Sequence, residues 1–142
     1  MLLFIQKICL NAYDYEGVRM KDRFKFRVWF NKLIRYSKNT DDLLLAEDGT
    51  LGAFDTVGCY SKDDVVIEQC TGQRDINRKL IYEGDILKDR GNARWKVIWD
   101  DDEVAFCVVS GRKGFVYYLS DFEDCEVIGN IHENPELLKE EQ

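Results

Sequence analysis

Residues 84–131 read GDILKDRGNARWKVIWDDDEVAFCVVSGRKGFVYYLSDFEDCEVIGNI, and this stretch decides the fold class. Gly84 supplies a turn that needs positive φ, and Ile86 and Leu87 start a strand. Ala93, Trp95, Val97 and Trp99 recur at period two, which places them on one face of a second strand. The acidic run 100–103 is a turn, and 104–109 returns as an apolar strand. SGRKG at 110–114 turns again, 115–119 is a further strand, 120–124 is a loop and 126–130 a short last strand. Five short strands in about fifty residues have the count and spacing of a small closed barrel, since closure removes exposed sheet edges. We therefore expect an SH3-like barrel with its core over 84–131.

Upstream, 65–70 (VVIEQC) is a β-branched run and a good strand, followed by a polar, turn-rich stretch at 71–79 (TGQRDINRK). Further back, 24–29 (FKFRVW) alternates apolar and basic residues, with Phe24, Phe26 and Val28 on one face. Residues 33–36 are its hairpin partner across Asn31 and Lys32. A short strand at 43–45 ends in a turn at 47–49, 51–60 is ambiguous, and the fold of 37–65 stays open. Downstream, Asn134, Pro135 and Glu136 are a helix start: Asn as cap, Pro at the first helical position, an acid at the positive end of the dipole. The helix over 135–141 docks through Leu137 and Leu138. The class is mainly β, with α+β as the alternative: an N-terminal β-hairpin region, the barrel, and a short C-terminal helix.

The chain has 142 residues, enough for one domain and a small appendage, and its 45% hydrophobic content is enough for a core. Charge is uneven: residues 1–40 hold nine Lys/Arg and three Asp/Glu, a balance of +6, and the rest carries −13, giving the net −7. An acidic whole repels phosphate backbones, which sets general nucleic-acid binding at a disadvantage. The five cysteines, at 9, 59, 70, 107 and 125, are odd in number with no C-x-x-C spacing, as expected of buried reduced thiols. No run has the length of a transmembrane helix, and the opening MLLFI lacks a cationic leader. We expect a cytoplasmic protein with no membrane partner.

Residues 1–19 differ in character from the rest of the chain. Glu16, Gly17 and Val18 back-translate to a purine-rich sequence resembling a ribosome-binding site just ahead of the Met20 codon. One reading makes 1–19 an extension upstream of a natural start at Met20, with a single domain over 20–142. The other makes it an ordinary N-terminal strand or short helix.

From residue 69 the order of motifs becomes specific. Thr71-Gly72, a polar turn, KLIYEGDI at 79–86, an aromatic hairpin with AFC at 105–107, and EVIGNIHENPELL at 126–138 together resemble the YopX family of phage and prophage proteins. The strand at 24–29 is also similar to that family's N-terminal strand. The likeness covers roughly residues 20–139; residues 1–19 lie outside it, and 37–65 offer no landmark to align. Its motif residues are Tyr82, Glu83, Gly84, Asp85, Gly129, Asn130, Asn134 and Pro135. The resemblance implies a bacterial or phage gene and a largely β fold, and it implies no reaction.

The residues themselves offer little for catalysis. One histidine, His132, and no G-x-S-x-G leave a nucleophilic triad without support, and there is neither a P-loop nor G-x-G-x-x-G. Glu83 and Asp85 would share a face of a strand as a carboxylate pair, but an aspartate bonding backbone N–H groups at a turn is the simpler reading. The run 100–103 lacks the twelve-residue calcium-loop pattern and reads as an acidic hairpin turn. His132 has no second ligand nearby in sequence, so we read it as structural. Arg74, Arg78, Lys79, Lys88, Arg90, Arg94 and Lys96 outnumber the acids around them, and with Tyr82 or Trp95 they would make a nucleic-acid platform. Trp29, Trp95 and Trp99 more often belong to a core. The leading expectation is a non-catalytic interaction module, without cofactor or metal, that binds a phage or host protein or a second copy of itself. Nucleic-acid binding through 74–96 is the alternative, and an enzyme using the carboxylate pair the weakest.

Overall fold

Period-two alternation becomes strand along most of the chain. The computed structural model describes residues 6–8, 22, 25–37, 42–45, 51–54, 59–110 and 114–139. Its strands are β1 (Gln6–Ile8), β2 (Phe26–Phe30), β3 (Arg35–Tyr36), β4 (Asp42–Leu45), β5 (Leu51–Phe54), β6 (Cys59–Tyr60) and β7 (Val65–Arg74), then β8 (Leu80–Tyr82), β9 (Asp85–Lys88), β10 (Arg94–Asp100), β11 (Ala105–Ser110), β12 (Val116–Tyr118) and β13 (Glu126–Asn130). The mainly β class is what the structure shows. Two compact units divide it, one of residues 1–21 with 25–68 and the other of 22–24 with 69–142. The Met20 start reading and the turns at 47–49 and 111–113 lie outside the described residues.

The first unit contains the stretch that sequence left open. Strands β4 and β5 form an antiparallel hairpin with Leu45 opposite Leu51, and the sheet runs β1-β4-β5-β6. Beside it, β2 and β3 pair Phe30 with Arg35 across a four-residue turn, so the connection is longer than the two residues expected. Val28, Trp29 and Phe30 are all buried, which corrects the half-buried reading of this strand: both of its faces are covered. Val28, Phe30 and Val65 form the core here, with Phe26, Leu33 and Tyr60 packed against it. Glu68 is also buried, at 1% exposure. Its Oε2 accepts from Arg27 Nε at 2.6 Å and from the Tyr36 hydroxyl at 3.0 Å, while the Arg27 guanidinium lies over the Tyr36 ring at 4.6 Å.

Strand β7 continues four residues past Cys70, through the stretch expected to be turn. Gly72 sits at φ +82°, and the register with β8 shifts between Cys70 and Arg74, so the glycine makes a bulge and not a chain reversal. The reversal comes at 75–79. Asp75, buried, closes it by accepting from the amides of Asn77 at 2.9 Å and Lys79 at 2.8 Å. Its other oxygen accepts from Val127 N on β13 at 3.0 Å. One carboxylate therefore holds both the turn and the last strand.

Strands β9 to β13 supply the five strands expected over 84–131, in the order β12-β11-β10-β9-β13. The expectation of closure is corrected: β12 and β13 stand at opposite ends, and among the described residues no ladder joins them, so the sheet is a curled half-barrel. One face carries the core of Ile81, Leu87, Val97, Val108, Leu119 and Cys125, flanked by Trp95, Phe106, Phe122 and Val127. Each fully buried aliphatic side chain of this kind contributes about 1.5–3 kcal/mol.

The expected C-terminal helix is a single 3-10 turn over Pro135–Leu138. Asn134 makes no side-chain cap; instead its Oδ1 accepts from Asn130 N at 3.4 Å and lies against Gly129. A Cβ on Gly129 would stand 2.6 Å from that oxygen and 2.9 Å from Leu137 Cδ1. Gly129→Ala must displace the Asn134 and Leu137 side chains, and we expect a loss of about 1–2 kcal/mol, read as a lower urea midpoint at unchanged slope.

Two hairpin tips share an unfavourable feature. Ile34 and Val104 each end a four-residue turn in the left-handed region, at φ 52° and 51°, with side chains 75% and 71% exposed. Val104 was expected in a strand; it is the last residue of the turn at 101–104. A β-branched residue there is strained, and glycine is not. We expect Val104→Gly to raise stability by about 1 kcal/mol, measured by denaturant unfolding, with Ile34→Gly behaving alike.

Candidate interaction surface

Sheet order leaves β12 at an end, and its three residues, Val116, Tyr117 and Tyr118, are all exposed. They pair with Val109, Val108 and Cys107 of β11. Ser110 N donates to the Phe115 carbonyl at 3.1 Å. By the antiparallel alternation, Tyr117 then bonds toward β11, and Val116 and Tyr118 turn their amide and carbonyl groups to the edge, which no further strand among the described residues covers. The side chains alternate too. Tyr117 lies on the core side, edge-on to Trp95 at 5.5 Å and tilted toward Phe122 at 6.2 Å. Val116 and Tyr118 lie on the opposite face beside Cys107.

Around this strand is a concavity of about 280 Å³ lined by Glu103, Cys107, Val116, Tyr117, Tyr118 and Asp121. Two elements bring the carboxylates: the turn 101–104, and the 3-10 turn Leu119–Asp121, anchored by buried Leu119. The Tyr118 hydroxyl donates to Glu103 Oε2. That bond, with Coulomb repulsion from the same carboxylate, raises the Tyr118 pKa above the ordinary tyrosine value. The folded state thus favours the neutral phenol, a contribution present below the ordinary pKa and lost as pH rises through the raised one. Spectrophotometric titration should show a phenol ionising late, absent in Tyr118→Phe; identical curves would contradict the bond. Burial likewise pushes the Cys107 thiol up, away from the reactive thiolate.

The acids of 100–103 serve separate partners. Asp100 Oδ1 accepts from the amides of Asp102 and Glu103, and Asp101 Oδ1 accepts from the Trp99 indole at 3.0 Å. Among the described residues, no three His, Cys, Asp or Glu side chains are grouped to hold a metal ion. Of the seven cations of 74–96, Lys88 and Arg94 stand opposite one another in the β9–β10 ladder, with Lys96 two residues further along β10. Arg74 pairs with Asp22 at 2.7 Å, Lys88 with Glu126 at 3.1 Å, and Arg90 with Asp124. Arg94 donates to the Leu137 carbonyl at 2.9 Å; Arg78 and Lys79 are exposed at the 75–79 turn, and Lys96 is half-buried on β10.

The motif residues do converge. Gly84, at φ +80°, donates its amide to the Val97 carbonyl and accepts from Ile131 N, both at 2.9 Å. Asp85, 1% exposed, accepts from Tyr82 N at 2.8 Å and stands opposite Asn130 in the β9–β13 ladder. Glu83 N donates to the Gln69 carbonyl at 2.9 Å. Asn130 Oδ1 in turn accepts from the amides of His132 and Glu133. In comparison with known proteins, the family model for YopX protein matches residues 18–139. The chain belongs to the YopX family. Among the solved structures similar to it are two named proteins. Protein EF1440 from Enterococcus faecalis is 26% identical with a TM-score of 0.52, and protein yopX from Bacillus subtilis is 21% identical with a TM-score of 0.52. Each match covers 80% of this chain and 96% of the other. No curated protein matches significantly.

Residues 82–85 and 129–134 thus meet at one junction around buried Gly84, Asp85 and Asn130, where glycine geometry and side-chain acceptors close the turns that join β8, β9 and β13. These residues act on backbone groups of the fold. Sequence reasoning placed Asp85 correctly as a turn acceptor but passed over Asp75 and Glu68, because a buried carboxylate looks the same in sequence as a solvated one. It also passed over the β12 edge, whose exposure depends on which strand ends the sheet.

Proposed function

We propose that this YopX-family chain is a non-catalytic interaction module of phage or prophage origin that works by binding a protein. The observation that carries this reading is the β12 edge. Sheet edges are ordinarily blunted by charge, proline or cover, since a bare edge invites pairing. This edge instead keeps a valine and two tyrosines exposed, with Phe115 and Trp99 also exposed nearby in sequence and along the sheet. Tyrosine suits a binding surface, offering large contact area and a polar tip at low entropy cost. The concavity, at about 280 Å³, is at the low end of the roughly 300–1,000 Å³ usual for small-molecule sites, and the Asp85 carboxyl is already engaged by the backbone. Support for the nucleic-acid alternative is weaker, because four of the seven cations already rest on carboxylates or a carbonyl.

Affinity capture from a bacterial host lysate, quantified by mass spectrometry, tests the reading. A protein should co-purify with the chain in stoichiometric amount. A chain that retains no protein, and that light scattering shows to be strictly monomeric, would overturn it.

A further inference from the structure

We propose that β12 is extended by a strand from a basic partner, an Arg- or Lys-bearing extended segment whose cationic side chain enters the concavity between Glu103 and Asp121. This rests on the interaction-module reading and names its site and partner chemistry. Three features of the molecule argue for it together. Val116 and Tyr118 present amide and carbonyl groups at the open edge, which is what an added strand requires. The same two residues put their side chains on the face that carries the concavity, so a paired strand would place alternate side chains against them. The charge there is mostly negative: residues 100–124 hold seven Asp/Glu against two cations, Arg112 and Lys113, and both charged residues lining the concavity are acids.

Charge also selects among occupants. Pairing β12 with β12 of a second copy would bring Glu103 and Asp121 of both chains to one seam, and like charges opposed across strands destabilise pairing. A nucleic-acid strand meets the same repulsion. A guanidinium gains on both counts: carboxylates for ion pairing, and tyrosine rings for its planar face. The concavity, at about 280 Å³, is of a size for one long side chain.

The experiment is fluorescence anisotropy with a short labelled peptide alternating Arg and Val, at physiological ionic strength. The full chain should bind it at least about tenfold more tightly than the Glu/Val counterpart, and backbone N-methylation of the peptide should abolish binding. Glu103→Gln with Asp121→Asn should weaken binding about tenfold, as should Val116→Lys, with thermal melts confirming that each variant folds. Equal binding of the Arg/Val and Glu/Val peptides would overturn the proposal, as would binding indifferent to these substitutions. So would a dimer that Val116→Lys dissociates, which would assign the edge to a second copy. A lysate partner captured equally by wild type and by these variants would overturn this site while leaving the interaction-module reading intact.

Discussion

Asp75→Ala is expected to cost about 4 kcal/mol, the largest effect of any single change in the second unit. Three backbone amides, those of Asn77, Lys79 and Val127, lose their acceptor at once. The site is 7% exposed, so water replaces the carboxylate poorly. A buried donor left unsatisfied costs about 1–3 kcal/mol, and relaxation of the turn brings the sum below three full penalties. Asp75→Asn separates charge from geometry. It keeps one acceptor oxygen for the turn and turns an NH₂ toward Val127 N, so it should fall midway. Urea unfolding followed by tryptophan fluorescence reads the series. An alanine variant within about 1 kcal/mol of wild type, on the scale of an ordinary surface substitution, would show that the amides find other partners.

Glu68→Ala is expected to destabilise the first unit by about 3–5 kcal/mol, because removing one partner of a buried pair leaves the other charged and desolvated. Arg27 is that partner, with its guanidinium held over Tyr36 and its side chain 21% exposed. The double variant Arg27→Met with Glu68→Leu tests the cause. If the penalty is the stranded charge, replacing both partners restores most of the loss, since apolar replacement of a buried pair is often neutral. A double variant as unstable as Glu68→Ala would place the cost in lost packing instead.

Strands were legible where alternation is local. β10 and β11 were visible because Trp95, Val97 and Trp99 recur at period two between turn-forming runs, and the antiparallel ladder from Trp95–Ser110 to Asp100–Ala105 accords with that spacing. The full length of β7 was hidden because Gly72 looks like punctuation, whereas a positive-φ glycine inside a strand makes a bulge. Closure of the barrel was not legible, since it depends on whether β12 reaches β13, and no local pattern encodes that. The pairing of the cationic stretch was hidden for a related reason. Arg90 finds Asp124 thirty-four residues away, and a count of neighbouring charges does not see such a partner.

The candidate site divides the same way. The turn at 82–85 was legible from Gly84 and Asp85, and the structure shows turn closure around Gly84, Asp85 and Asn130. The β12 surface was legible only as a strand, because exposure is set by the sheet's edge and the register with β11.

The central claim, that the motif junction builds the fold while the β12 edge binds, is tested most directly by titrating the Arg/Val peptide into isotopically labelled protein and tracking backbone amide shifts by NMR. The account predicts saturable shifts at Val116, Tyr118, Glu103 and Asp121, with little change at residues 82–86 and 129–135. Shifts centred on that junction or on the cations of 74–96, or no shifts at all, would contradict it.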